Sequence, residues 1–134
     1  MKFNATTKSE LKHFIFHCTP LHDATFDSFQ YIKQEKVIAI KLYNSYEKEY
    51  VYLTFYGVRF VLSTDTDAWG NDESVNAFCL EEDYSLPYTL LKDASFSIID
   101  MLYFAFQMFS SNEIYILCDS IDIARSEPEN GTAP

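Results

Sequence analysis

The chain has 134 residues, 48% of them hydrophobic, with twelve Phe, ten Tyr and only three Gly: too apolar for a disordered chain, and the right length for one domain around one core. Its formal net charge of −10 is placed unevenly, residues 1–60 carrying eight Lys/Arg and six Asp/Glu, and residues 61–134 two and fourteen. A field of that sign repels phosphate backbones, which argues against nucleic-acid binding and favours a basic protein partner or simple solubility.

The first predicted element begins at Thr7. Thr7-Lys8-Ser9-Glu10 has capping-box form, and Leu11, Phe14, Ile15 and Cys18 follow at i, i+3, i+4 and i+7, one apolar stripe on a helix of about three turns that Thr19-Pro20 ends. An alternating strand also fits this stretch. Beyond Pro20 the period changes to two. Phe26 to Ile32 and Val37 to Tyr43 predict a hairpin around Lys33-Gln34-Glu35-Lys36, and a second turn at Asn44 to Lys48 leads into Glu49 to Phe55. Gly57 then interrupts before Val58 to Leu62, where an isolated glycine in a β pattern marks a bulge or sharp bend. These segments make a four-strand meander.

Residues 63–83 read as a long loop carrying one short strand, Val75 to Leu80, and Pro87 and Lys92-Asp93 bracket a second irregular section. The apolar run from Ile98 to Phe109 fits a buried helix or a long strand. Its neighbours decide for a strand, since Ser110 to Glu113 form a turn and Ile114, Ile116 and Cys118 alternate with Tyr115 and Leu117, as in a closing hairpin. The polar tail 126–134 is expected to be disordered.

The fold class predicted is α+β: an N-terminal helix on a mostly antiparallel sheet, meander, roll or half-barrel, closed by a C-terminal hairpin, with one domain over residues 1–125. Phe14, Ile38, Ile40, Leu53, Phe55, Phe104, Phe106, Ile114 and Ile116 are the predicted core. Three widely spaced cysteines, Cys18, Cys79 and Cys118, read as reduced thiols, and MKFNATTKSE has no apolar signal core. The longest apolar run contains Asp100 and is too short to span a bilayer. A cytoplasmic protein without a membrane partner is the expectation.

Candidate chemistry is sparse. On a helix, His13 and His17 lie one turn apart, a spacing found in zinc sites, with His22, Asp23 or Cys18 as further ligands. The pair projects away from the apolar stripe, however, and no glutamate stands between the histidines as a general base, so no metal or cofactor is expected. His22-Asp23 reads as a device that fixes the chain as it turns into the first strand. Cys18 with His22 is the only thiol and base pair close in sequence, and a core-facing thiol is inert. Gly57, Gly70 and Gly131 draw neither a phosphate loop nor a dinucleotide fingerprint.

The acidic stretch from Ser63 to Tyr84 is the strongest feature. It holds Asp65, Asp67, Asp72, Glu73, Glu81, Glu82 and Asp83, no basic residue, and the chain's one tryptophan, Trp69. Its start lacks the glycine and glutamate of a calcium loop. Clustered carboxylates that speed encounter, beside an aromatic anchor that supplies binding energy, suit a basic protein partner.

Leu21-His22-Asp23-Ala24 before a strand, a β meander, an acidic tryptophan-containing loop and a final hairpin ending Glu113-Ile114-Tyr115-Ile116-Leu117-Cys118 together resemble small acidic bacterial immunity-type proteins, antidotes of polymorphic toxins, and related α+β domains, over residues 20–123 in layout. The resemblance implies a cytoplasmic antidote that occludes a toxin domain, often acidic surface against a basic nuclease, and carries over no catalytic residue. The expected function is a non-enzymatic binding module. The alternatives are a small ligand-binding or enzymatic roll with an aromatic-lined pocket, and a subunit that forms homo-oligomers through a sheet edge.

Overall fold

β-branched and aromatic residues at period two dictate most of the architecture, because each such segment has one apolar face to bury. The computed structural model describes residues 1–17, 21–64, 74–109 and 112–126. In chain order the elements are β1 (Lys2–Asn4), α1 (Lys8–His17), β2 (Thr25–Ile32), β3 (Val37–Asn44), β4 (Glu49–Tyr56), β5 (Phe60–Ser63), β6 (Val75–Leu80), α2 (Ser85–Leu90), β7 (Leu102–Met108), β8 (Glu113–Cys118) and β9 (Ser120–Arg125). The strands form two antiparallel sheets, one in the order β1-β9-β4-β3-β2 and the other β5-β8-β7-β6, and neither closes into a barrel. The α+β class is as the sequence predicts.

The meander is corrected in one respect. β2, β3 and β4 are successive neighbours, but β5 leaves that sheet and pairs with β8 in the other. Gly57, at φ 63°, is the bend. A second bend lies beside it, where Asp119 separates β8 from β9. β4 pairs with β9 and β5 with β8, so two long bent strands run together from one sheet into the other. The corner is locked by the Asp119 amide donating to the Tyr56 carbonyl at 2.9 Å and the Arg59 amide donating to the Leu117 carbonyl at 2.8 Å. Strands that switch sheets at bends are the usual corner of packed sheets. The closing hairpin of β7 and β8 is as expected, whereas β1 and β9 were not foreseen.

The main core lies between the sheets. Ile38, Ile40, Leu42, Leu53 and Phe55 from one meet Phe104, Phe106, Ile114 and Ile116 from the other, all essentially without solvent contact. Phe55 meets Phe104 edge to face at 5.3 Å, and Phe78 stacks on Phe106 at 4.4 Å. Of the predicted core only Phe14 is not fully buried; it packs half-exposed on the core edge against the Phe3 ring, 5.4 Å away, while Leu11 and Ile15 make the helix's buried contact.

The helix starts where expected but is capped one turn earlier. Asn4 and Thr7, not Thr7 and Glu10, form the capping box: Asn4 Oδ1 accepts from Thr6 N at 2.9 Å and Thr7 Oγ1 accepts from Asn4 N at 3.0 Å. A short 3-10 turn, Ala5–Thr7, carries the cap into α1. Thr19-Pro20 and Cys18 lie outside the described residues.

The section bracketed by Pro87 and Asp93 is not irregular. It holds α2, in which Pro87 sits in the first turn, where its missing amide donor costs no helical bond. This segment continues through a 3-10 turn at Ile98–Asp100 and covers the outer face of the second sheet, where Ile98, Met101, Tyr103 and Leu117 form a small second core with Phe60, Tyr84, Leu91 and Phe96 packed on it. β7 is therefore buried on both faces, which explains why its sequence reads as a continuous apolar run.

Candidate functional site

β6 is an edge strand, and α1 lies along it. Between them runs an apolar groove made of two adjoining cavities of about 230 and 290 Å³ that share Ile15, Phe16, Phe78 and Cys79. One end reaches Lys12 and Leu80, the other Leu21, His22, Asn76 and Ala77. Phe16 stands at its rim with 80% of its surface exposed.

Phe109, 54% exposed, lies outside the lining and packs its ring edge-on to His22, a lining residue, at 5.4 Å. The Phe109 amide donates to the Ser74 carbonyl at 3.1 Å. Ser74 also bridges to Thr25, and the Val75 amide donates to the Ala24 carbonyl at 2.8 Å, so the start of β6 is tied to the start of β2.

Of the acidic residues singled out by sequence, Asp65, Asp67, Asp72 and Glu73, together with Trp69, lie outside the described residues. Glu81, Glu82 and Asp83 follow β6 directly. The Glu81 amide donates to the Tyr103 carbonyl at 2.7 Å, extending the β6–β7 ladder by one bond. Glu82 pairs with Lys12 across the end of the groove, and that ammonium holds its carboxyl below the usual range. Asp83 accepts from the amide of Ser85 at 3.0 Å and from its hydroxyl, an Asx-type bond at the start of α2 that likewise lowers its carboxyl. Lys8 Nζ donates to the Tyr84 hydroxyl at 3.1 Å, which in turn donates to the Met101 carbonyl at 2.7 Å. The two lysines of α1 thus fasten the helix to the chain leaving β6.

Around Glu81 the outer sheet face carries closely packed phenols. Burial first, then repulsion from the negative charge that Tyr115, Glu81 and Asp83 carry when ionised, pushes Tyr103 up to about 12. Tyr115 is raised to about 12 by burial and by its bond to Glu113 Oε2 at 2.9 Å. Cys79 is raised by burial and by Glu81, and Cys118 by deeper burial. These are thiols and phenols held neutral, the opposite of an activated nucleophile.

His13 is exposed and His17 is the last residue of α1. His22 Nδ1 lies 3.2 Å from Asp23 Oδ2, and Asp23, at φ 69°, donates its amide to the Val75 carbonyl at 2.8 Å. The turn into β2 is tied by backbone bonds, the Asp23 amide to Val75 and the Ala24 amide to the Leu21 carbonyl at 2.9 Å, while the expected contacts, carboxylate to backbone amides and imidazole to a carbonyl, are replaced by a contact between the two side chains. Among the described residues no three His, Cys, Asp or Glu come together as a metal site.

Sequence reading missed Phe16, Phe109 and the groove. The signal for Phe16 was its place off the Leu11, Phe14, Ile15 stripe, which leaves a large apolar side chain on the solvent side of the helix. Nothing local points to the groove, because its walls are about sixty residues apart in sequence.

A two-sheet α+β fold with an apolar groove at one sheet edge is the class that these observations define. A scan against protein-family models finds none that matches, and a search of the curated proteins finds no match either. No helix among the described residues is long and apolar enough to cross a membrane.

Proposed function

We propose that this chain is a non-enzymatic protein-binding module for a basic protein, acting in the cytoplasm in the manner of an immunity protein that occludes a toxin domain. The observation that carries this reading is the stretch from Ser63 to Tyr84, seven carboxylates without one basic residue, whose described part supplies a wall of an apolar groove rimmed by exposed Phe16. Acidic charge steers a basic partner and selects against acidic ones, while desolvated aromatic side chains supply most of the binding energy. The Cys79 thiol in the lining, raised by burial, suits occlusion better than nucleophilic catalysis.

The test is capture of a partner on the immobilised chain, followed by affinity measurement with a variant carrying Asp65→Lys, Asp67→Lys, Glu81→Lys and Glu82→Lys. A basic partner released only at high salt, and bound at least roughly tenfold more weakly by the variant, is the expected result. Unchanged affinity in the variant overturns the reading.

A further inference from the structure

We propose that residues 82–100 form a strap that lifts as one unit from the outer face of the second sheet while both sheets and the core between them stay intact, and that α1 holds it down through Lys8 and Lys12. The lifted form bares the cross-strand row of Phe60, Leu117 and Tyr103.

The strap is an insertion at the end of a hairpin that is complete without it. β6 and β7 pair as far as Leu80 and Phe104, and the Glu81 amide adds one more bond to the Tyr103 carbonyl at 2.7 Å. The chain therefore leaves and rejoins the ladder at neighbouring positions. The Tyr84 hydroxyl, donating to the Met101 carbonyl at 2.7 Å, ties the two ends of the strap to each other. The backbone bonds within it are local: the amides of Tyr88, Leu91 and Ala94 donate to the carbonyls of Tyr84, Pro87 and Leu91 at 3.0, 2.8 and 2.9 Å.

Little apolar surface holds the strap down. Of residues 82–100 only Pro87 and Ile98 are buried. Ile98 joins Met101, Tyr103 and Leu117 in a cluster separate from the main core, which Phe104 and Ile116, the neighbours of Tyr103 and Leu117, enter from the other face of the same strands. Stabilisation by burial scales with the apolar area removed from water, so lifting the strap costs far less than parting the sheets. Its remaining fastenings are at the surface. Glu82 pairs with Lys12, their side chains 74% and 48% exposed, Lys8 Nζ donates to the Tyr84 hydroxyl at 3.1 Å, and the Arg59 guanidinium lies over the Phe96 ring at 4.9 Å. Each such contact contributes little on its own.

Two of these fastenings start from α1 and break when the strap lifts. A group that draws Lys8 or Lys12 into another contact therefore favours the lifted form, and lifting in turn frees both ammonium groups, as linked equilibria require. The helix and the outer face of the second sheet, which share no core, are coupled through the strap.

The experiment is hydrogen exchange of the full-length ¹⁵N-labelled chain by NMR, at several urea concentrations below the unfolding transition. The amides of Tyr88, Leu91, Ala94 and Met101 should report one shared opening equilibrium, at least about 100-fold more populated than the opening that exposes the amides of β3, β7 and β8. That shared equilibrium should rise with urea, less steeply than global unfolding, because the lifted strap exposes a limited surface. Replacing both lysines, Lys8→Met with Lys12→Met, should speed exchange in the strap at least about twofold and leave the three strands unchanged.

Strap amides that exchange no faster than those of the strands would overturn the proposal, because the strap would then unfold only with the whole chain. Exchange that differs from amide to amide and ignores urea would overturn it too, as fraying of single bonds. Strap exchange indifferent to loss of both lysines would overturn the hold assigned to α1.

Discussion

The Asp119 carboxylate occupies the space that a side chain at Gly57 would need: a Cβ built on Gly57 falls 2.1 Å from Asp119 Oδ2 and 2.6 Å from its Cγ. The two residues are the paired bends by which β4–β5 and β8–β9 pass between sheets. Gly57 also holds φ at 63°, a conformation that costs a residue with a Cβ about 1–2 kcal/mol. Arg59 Nη2 lies 3.7 Å from Asp119 Oδ2, on the far side of the same bend.

Gly57→Ala should therefore destabilise the fold by about 2–4 kcal/mol, the sum of backbone strain and the displaced carboxylate. Adding Asp119→Ala removes the carboxylate but keeps its Cβ, 2.9 Å from the Cβ built on Gly57, so it should return most of the part due to the clash and leave the part due to φ. Urea unfolding of the single and double variants separates the two, and a double variant no more stable than Gly57→Ala would refute the clash.

Phe104 is the hinge of the aromatic core, edge-on to Phe55 at 5.3 Å and stacked with Phe78 at 5.4 Å, with no solvent exposure. Phe104→Ala should cost about 3–5 kcal/mol, because three rings that pack on one another cannot collapse into the space left. Phe104→Leu should cost visibly less. Equal losses for the two variants would mean that cavity volume is not what sets the cost.

The Glu49 side chain is only 4% exposed, and Arg125 binds it with two nitrogens, Nε at 2.7 Å and Nη2 at 2.5 Å. Removing the guanidinium leaves a carboxylate in a dry place. Arg125→Ala should cost about 2–3 kcal/mol, the low end of the range for a broken buried pair because the arginine itself is 38% exposed and screened. Glu49→Gln with Arg125→Ala should recover part of the loss. Thermal unfolding at neutral pH measures both, and a double variant as unstable as Arg125→Ala alone would show that the unpaired charge is not the cause.

Period two over Val37 to Tyr43 and Glu49 to Phe55 was enough for β3 and β4, since one face of each is buried and the other wet. Gly57 was legible as a bend, but its partner Asp119 was not: a lone aspartate after Cys118 reads as the end of a strand, and only the pairing with β4 reveals that Ser120 to Arg125 continues it. β1, three residues long, carries no periodic signal and forms because β9 offers it an edge. Pro87 disguised α2. The acidic stretch announced itself through charge alone, whereas the groove beside it exists only once α1 and β6 are brought together.

Tyr103 and Tyr115 make a prediction about alkaline pH. Both phenols are raised from 10.0 to about 12, first by burial, so the folded state keeps protons that the unfolded chain releases. Their contribution is fully present below pH 10 and is lost as pH rises towards 12, because only the unfolded state gains by ionising in that window. Stability should fall across that interval, and Tyr103→Phe should reduce the slope of the fall whatever it does to stability at neutral pH. Tyrosinate absorbance of the folded chain should show late-titrating phenols, one fewer in Tyr103→Phe. If the variant instead removes an early-titrating phenol, Tyr103 is open to water, and the packing of α2 and Ile98 over the outer face of the second sheet is looser than the structure shows.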